Sequence, residues 1–258
     1  MNWALKMNAM NAKFEYLLRL GDNCLILSQQ LGAWCGHGPA LEEDLALTNV
    51  ALDLLGQARL WLSYAGEVEG QGRDEDALAF YRDTSEFRNL LIVEQPNGHY
   101  GNTVVRQFLF DAWHRQLLEA LSHSSDGRIA EIAQKAVKEV RYHLERSAGL
   151  MIALGDGTEF SHKRMQEALD KLWPYANEWF ESDEVDAECS AKGFVPSADS
   201  LRAAWQAGVA SVLARATLTI PSTVGHQRGG KQGVHSEHLG HILAPMQIVQ
   251  RTYPGAKW

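Results

Sequence analysis

The sequence predicts an all-α protein. Three observations carry that expectation. Proline occurs only seven times in 258 residues and is absent from 11–34, 41–67, 102–122 and 128–154, so each stretch can run as a long helix. Apolar residues within them recur at intervals of three and four, the spacing that lines side chains along one helical face. No segment shows the alternation of a strand worth assigning.

In the first stretch the line is Leu17, Leu20, Cys24, Leu27 and Leu31. In the second, Leu41, Leu45, Thr48, Leu52, Leu55 and Leu62 are expected to face the core. The third carries Val105, Phe108 and Ala112 on a broad buried face. The fourth carries Ile129, Ala133, Ala136, Val140, Ser147 and Met151. The breaks at Gly36-His37-Gly38-Pro39 and Ser124-Ser125-Asp126 are short enough to force antiparallel neighbours, which gives two helical hairpins. Residues 70–101 separate them, with short helical pieces expected at 76–83 and 86–93 and a turn at Pro96-Asn97-Gly98. Two hairpins joined by one long crossover define a ferritin-like four-helix bundle. Additional C-terminal helices are expected over 158–180 and 200–220, then a glycine-rich loop at 225–233, a last short helix and a Pro254-Gly255 tail. The whole chain, 1–258, is expected to be a single ferritin-like domain, with 1–12 a flexible extension.

Composition narrows the function. Twenty-four Lys and Arg against thirty-two Asp and Glu leave a formal charge of −8, so neither nucleic acid nor an anionic membrane is an expected partner. Cys24, Cys35 and Cys189 lack the pairing of a zinc site and the density of a secreted scaffold, which fits a reducing cytoplasm. No apolar run reaches the roughly 18 residues of a membrane span, and the first residues lack the apolar core of a signal peptide.

A bundle of this kind raises the question of two metals held by one carboxylate from each of two helices and an E-x-x-H pair from each of the others. Residues three apart share a face, so a carboxylate and an imidazole can converge on one ion. On the fourth helix Glu139 is in place, but Tyr142 stands in the histidine slot and His143 is displaced by one. On the second helix Asp53 has no imidazole three residues on. Asp111 and His114 have the right spacing on the third helix, where a single carboxylate is expected. Asp53, Asp111, Glu139, Tyr142 and His143 therefore read as vestigial slots, and no metal, cofactor or catalytic residue is expected in this chain. An i,i+4 pair between Glu139 and His143, with Arg141 or Arg59 as the neighbouring cation, is the plain structural expectation. Glu159 and His162 open a peripheral helix, where a glutamate meets the helix dipole.

The C-terminal run His235-Ser236-Glu237-His238-Leu239-Gly240-His241 places His238 and His241 three apart. Ser236 as a cap, Glu237 in the first turn and a solvent-facing His241 account for it without metal. Gly229-Gly230-Lys231-Gln232-Gly233 resembles a phosphate-binding loop in composition only, and no nucleotide fingerprint or nucleophile elbow occurs. Nine aromatics, among them Trp61, Tyr64, Trp113 and Trp205, are open between core and interface.

Several multi-residue runs go beyond such patterns: Arg19-Leu20-Gly21-Asp22-Asn23-Cys24-Leu25, Trp34-Cys35-Gly36-His37, Leu52-Asp53-Leu54-Leu55-Gly56-Gln57-Ala58-Arg59, Val93-Glu94-Gln95-Pro96-Asn97-Gly98, Lys138-Glu139-Val140-Arg141-Tyr142-His143, and Gly229-Gly230-Lys231 through Gly240. Together they cover nearly the whole chain after Lys13. They resemble the PaaC-type, non-catalytic subunit family of the bacterial ring-1,2-phenylacetyl-CoA epoxidases. The resemblance implies a hetero-oligomeric oxygenase in aerobic phenylacetate catabolism that adds one atom of O₂ across the aromatic ring. It implies that the di-iron centre lies in a larger catalytic subunit, that other small subunits belong to the complex, and that a reductase with FAD and an iron–sulfur cluster brings electrons from NADPH. This chain would then be a scaffold docking the catalytic subunit, with Lys231, His235, Glu237 and His238 as a candidate contact surface. Two other readings stay open: a di-iron oxygenase in its own right on Asp111, His114, Glu139 and His143, and a CoA-binding module using Arg59, Arg106 and Lys231.

Overall fold

The computed structural model describes residues 9–223 and 225–256, with side chains from Ala12 onward. Among them there are helices and no strands. The bundle is built from α1 (Ala9–Gly32), α2 (Leu41–Glu69), α4 (Tyr100–Leu121) and α5 (Gly127–Gly155), with α3 (Glu75–Phe80) in the crossover. Then follow α6 (Glu159–Leu172), α7 (Glu184–Ala191), α8 (Arg202–Arg215) and α9 (Glu237–Thr252). α1 packs most extensively on α2 and α4 on α5, while the two hairpins meet through α2 and α5 over a shorter stretch. This is the ferritin-like arrangement expected. Of the extension expected over 1–12, residues 1–8 lie outside the described residues, and 9–12 form the first turn of α1.

Local chemistry sets the helix ends. Glu42, Glu43 and Asp44 occupy the first turn of α2, where negative charge meets exposed backbone N–H groups. The same helix stops at Gly70, whose left-handed φ of 70° lets its N–H reach back to Gly66. Asp126 caps α5 by accepting from the Arg128 and Ile129 N–H groups at 3.1 and 3.2 Å. α4 is buried on all sides from Gly101 to His114, because α5, α6 and α8 all pack on it. Among the aromatics left open, Trp61, Trp113, Trp179 and Trp205 belong to the core, and Tyr64, Tyr100 and Trp173 pack against it half-buried.

Several expectations are corrected. The segment 86–93 is not a helix. Its backbone donors are taken by side chains: Arg88 N–H by Asp22, Leu90 N–H by Asn23 and Leu91 N–H by Glu178, each at 2.8 Å, which draws the chain out. The helix expected over 158–180 stops at Leu172, because Pro174 cannot continue it, and two short 3₁₀ turns follow. That expected over 200–220 ends at Arg215, before Thr217 enters the left-handed region at φ 58°. α7 lies outside the expected elements. α9 is longer than expected and carries Pro245 within it.

The largest correction concerns α2. Leu41, Leu45, Leu52 and Leu55, expected in the core, are exposed, Leu41 by 71% and Leu52 by 60%. The face that does turn inward carries Leu47, Val50, Leu54, Ala58, Trp61 and Ala65. α2 therefore has two apolar faces, and only one is covered.

Candidate functional site

The centre of the bundle, between α1, α2, α4 and α5, holds the acids and imidazoles singled out in the sequence. His143 is buried on α5 and its Nε2 lies 2.9 Å from Asp53 Oδ2 on α2. One turn along, Gln57 Nε2 donates to Glu139 Oε2 at 2.9 Å, while Gln57 Oε1 accepts from the Cys24 thiol at 3.8 Å. Burial pushes that thiol far above its ordinary range, so Cys24 stays protonated. Asp111 on α4 is fully buried and accepts from Gln107 Nε2 at 2.7 Å and Ser147 Oγ at 2.8 Å. Burial raises its pKa to about 6 against the opposing pull of the His143 imidazole and those two hydrogen bonds. His114, packed against Phe110 and Trp113, is pushed down to about 3 by burial and by His143.

Tyr142 does not occupy a ligand slot. It is 54% exposed, and His143, four residues from Glu139, is the side chain turned inward. Nor do Glu139 and His143 form the expected pair within α5, since each reaches across to α2 instead. Arg59 pairs with Glu75 at 3.1 Å rather than with Glu139, and Arg141 is exposed. On α1 the carboxylate of Asp22 is committed to Arg82 of the crossover.

These residues form hydrogen-bonded couples rather than one converging set. A two-metal centre needs carboxylates and imidazoles converging with lone pairs to spare. Here the candidate donors are divided into separate couples, Asp53 with His143, Gln57 with Glu139, and Asp111 with Gln107 and Ser147. Among the described residues no group of three His, Cys, Asp or Glu side chains is arranged to hold an ion.

The C-terminal segment forms a second polar cluster. Glu94, fully buried, accepts from Asn89 Nδ2 at 3.0 Å, from the Ser236 N–H at 2.7 Å and from His235 Nδ1 at 2.8 Å. His235 Nε2 lies 3.0 Å from the Phe87 carbonyl, so both ring nitrogens face acceptors. Burial opposes charge on this imidazole, but the Glu94 and Phe87 hydrogen bonds and the Glu94 and Asp22 charges together raise its pKa. Glu178 holds the glycine loop by accepting from Gly229 and Gly230 at 3.0 and 2.8 Å. Gly230 has no room for a side chain, because a Cβ there would lie 2.1 Å from the Asn89 carbonyl. Lys231 is buried on Asp186 at 2.6 Å and on the Glu181 carbonyl.

Of the candidate contact residues, Lys231 and His235 are thus taken up inside the chain. Glu237 is exposed, and His238 lines a surface groove of about 700 Å³ with His241 and Met246. Ser236 stands at the N-cap of α9 without a side-chain cap bond. Among the cations considered for CoA, Arg106 is buried on the Gln95 carbonyl and Asn97, and burial lowers its pKa to about 9. Only Arg59 of that set faces solvent.

The multi-residue sequence runs have structural roles. Arg19 ties α1 to Asp183 and Asp186, Gly21 lies against Leu62, Asp22 and Asn23 bind the crossover, and Cys24 meets Gln57. Sequence reasoning places Ser147 on the inward face of α5 without its bond to Asp111, and it misses Gln57, Gln107 and Asn89, the neutral partners of Glu139, Asp111 and Glu94, since no motif marks them.

No helix among the described residues is long and apolar enough to cross a membrane. Comparison with known proteins agrees with the bundle. The chain is 53% identical over 249 residues to the C subunit of the 1,2-phenylacetyl-CoA epoxidase of Escherichia coli (strain K12), covering 96% of this chain and all of that protein. The family described as phenylacetic acid catabolic protein, which spans PaaA and PaaC, matches residues 2–258, and the chain belongs to that family.

Proposed function

We propose that this chain is the structural subunit of a phenylacetyl-CoA epoxidase complex, working as a single domain in the cytoplasm and holding no metal of its own. Its role is to dock and support the di-iron catalytic subunit. Other small subunits, and a reductase carrying FAD and an iron–sulfur cluster and fed by NADPH, complete the assembly. The observation that carries the reading is the division of Asp53, Asp111, Glu139 and His143 among separate protein partners. A catalytic bundle keeps such side chains convergent for metal, whereas a supporting bundle uses them to clip helices together. The similarity to the C subunit of the Escherichia coli epoxidase supports membership of such a complex. Of the four candidate contact residues, Glu237 and His238 are the two not taken up inside the chain.

The test is to load the purified chain with iron, alone and with the catalytic subunit, and to measure metal content, co-purification and epoxidation. Well under one metal per chain, a fixed stoichiometry with the catalytic subunit and activity only in its presence are expected. About two irons in the isolated chain, with oxygen-dependent turnover, would overturn the proposal.

A further inference from the structure

A narrow cavity of about 30 Å³ lies where α1, α4, the crossover and the C-terminal segments meet. Leu20, Leu90, Leu117 and Leu201 make its walls apolar. One water takes roughly 10–15 Å³ of such space, so the chamber has room for about two or three atoms larger than hydrogen. Its polar lining is one-sided. Trp113 and Trp179 are buried, and neither indole Nε1 has a hydrogen-bond partner among the described residues. Arg19 binds Asp183 and Asp186 through its terminal nitrogens, which leaves its buried Nε unpartnered. Asn23 accepts the Leu90 N–H through its carbonyl oxygen, so its amide nitrogen is left to donate. Lys231 gives two of its three hydrogens, one to Asp186 and one to the Glu181 carbonyl. Burial first, and then the Asp186 charge, hold the Tyr16 phenol far above its ordinary range, so it too keeps a hydrogen.

We propose that this chamber binds a small monoanion of halide size, such as chloride. The hydrogen-bond inventory carries the choice. A water molecule donates as well as accepts, and would need acceptors for its own hydrogens. A halide only accepts, which is what a lining of donors requires, and hydrogen bonds to an ionised acceptor are the stronger kind. Charge agrees with the same ligand. The lining holds two cations, Arg19 and Lys231, against one carboxylate, Asp186. Asp183 stands outside the lining with its side chain 26% exposed, so solvent weakens its field at the chamber. A buried charge persists only when paired and hydrogen-bonded, and both conditions are met here. The ion joins α1, α4 and the glycine loop through one shared acceptor, and so stabilises the fold without a partner chain.

The test compares thermal unfolding of the full-length chain in sodium chloride and in sodium gluconate of equal ionic strength. The melting temperature should rise about 3–5 °C for each tenfold increase in chloride above its Kd, with no such rise in gluconate. Crystals grown in bromide should show an anomalous peak in the chamber, within hydrogen-bond distance of the two indole nitrogens. Trp113→Phe and Trp179→Phe each remove an N–H that no protein group uses, so a loss of packing alone would lower stability equally in both salts. Each should instead move the onset of the chloride effect to about tenfold higher concentration. Asn23→Asp keeps the bond to Leu90 but turns a donor into a second carboxylate, and should abolish the effect. Circular dichroism checks the fold of all three variants. Identical melting in both salts, water in place of bromide in the chamber, or an unaltered chloride response in the variants would overturn the proposal. None of these readouts uses metal content or the catalytic subunit, so their failure leaves the proposed function standing.

Discussion

The His143 imidazole on α5 hydrogen-bonds the Asp53 carboxylate on α2, 2.9 Å away, and so joins the two hairpins where their helices meet over a short stretch. The carboxylate can only accept, so Nε2 carries the proton. The other ring nitrogen, Nδ1, has no hydrogen-bond partner among the described residues. A residue type expected to bind metal acts here as a clip between helices, and Gln57 with Glu139 repeats the device one turn on.

The two ends of that clip should respond unequally to mutation. His143 is buried, whereas the Asp53 side chain is 40% exposed. His143→Ala removes a buried ring and its hydrogen bond, and should cost about 2–4 kcal/mol in urea unfolding. Asp53→Asn, whose partner water can replace in part, should cost under about 1 kcal/mol. Equal losses would show that the carboxylate matters to the fold beyond this bond.

Asp111 and His114 predict opposing pH dependences. The folded pKa of Asp111, about 6, lies above its ordinary value of 3.8. The native state therefore binds more protons, and the stability this group provides below about pH 4 is lost as pH rises through 6. His114 has a folded pKa of about 3 against 6.5. Its burial favours the native state above about pH 6.5 and loses that advantage on acidification. Between pH 4 and 6 the two slopes cancel. Asp111→Asn should remove one of them, gaining about 3 kcal/mol relative to wild type as pH rises from 3.5 to 6.5 and then levelling. Unfolding free energies of both proteins across that range check it, and parallel curves would mean that Asp111 titrates normally.

The bundle is legible in the sequence because helix length, turn length and the long crossover are local properties. The orientation of α2 is not. A leucine spacing of three and four reads as core, yet the face that is buried carries Ala51, Gln57, Ala58 and Gly66, small or polar residues that blur the pattern. Counting three from Glu139 gives Tyr142 a ligand slot, but on this helix the residue four away turns inward. The partnership of Glu94 with His235, 141 residues apart, cannot be read from either neighbourhood. Candidate acids are identifiable by type, while the neutral amides and the hydroxyl that satisfy them are not.

That distant partnership makes the C-terminal segment sensitive to pH. His235 has a raised pKa in the folded state, so its contribution is fully present below about pH 6.5 and is lost as pH rises through the raised value. Hydrogen exchange of residues 229–239, corrected for the intrinsic rate, should lose protection over that upper window. His235→Gln should lower protection throughout and flatten its pH dependence. An unchanged profile in the variant would place the latch elsewhere, on Glu178 and the glycine loop.

The pair Asp22 and Arg82 should be the most costly polar contact to break. Both side chains are almost wholly buried, with the guanidinium bound to the carboxylate and lying 4.3 Å over the Phe87 ring. Asp22→Ala leaves a buried cation unpaired and should destabilise by about 3–5 kcal/mol. Arg82→Met should do the same by stranding the acid. In Asp22→Leu with Arg82→Met both charges go, and much of the loss should be recovered because an apolar pair fills the space. Recovery should remain incomplete, since Asp22 also accepts the Arg88 N–H at 2.8 Å and that donor would be left buried without an acceptor. Urea unfolding of the three variants reads all of this, and a double variant no more stable than the singles would show that Asp22 acts chiefly through the crossover backbone.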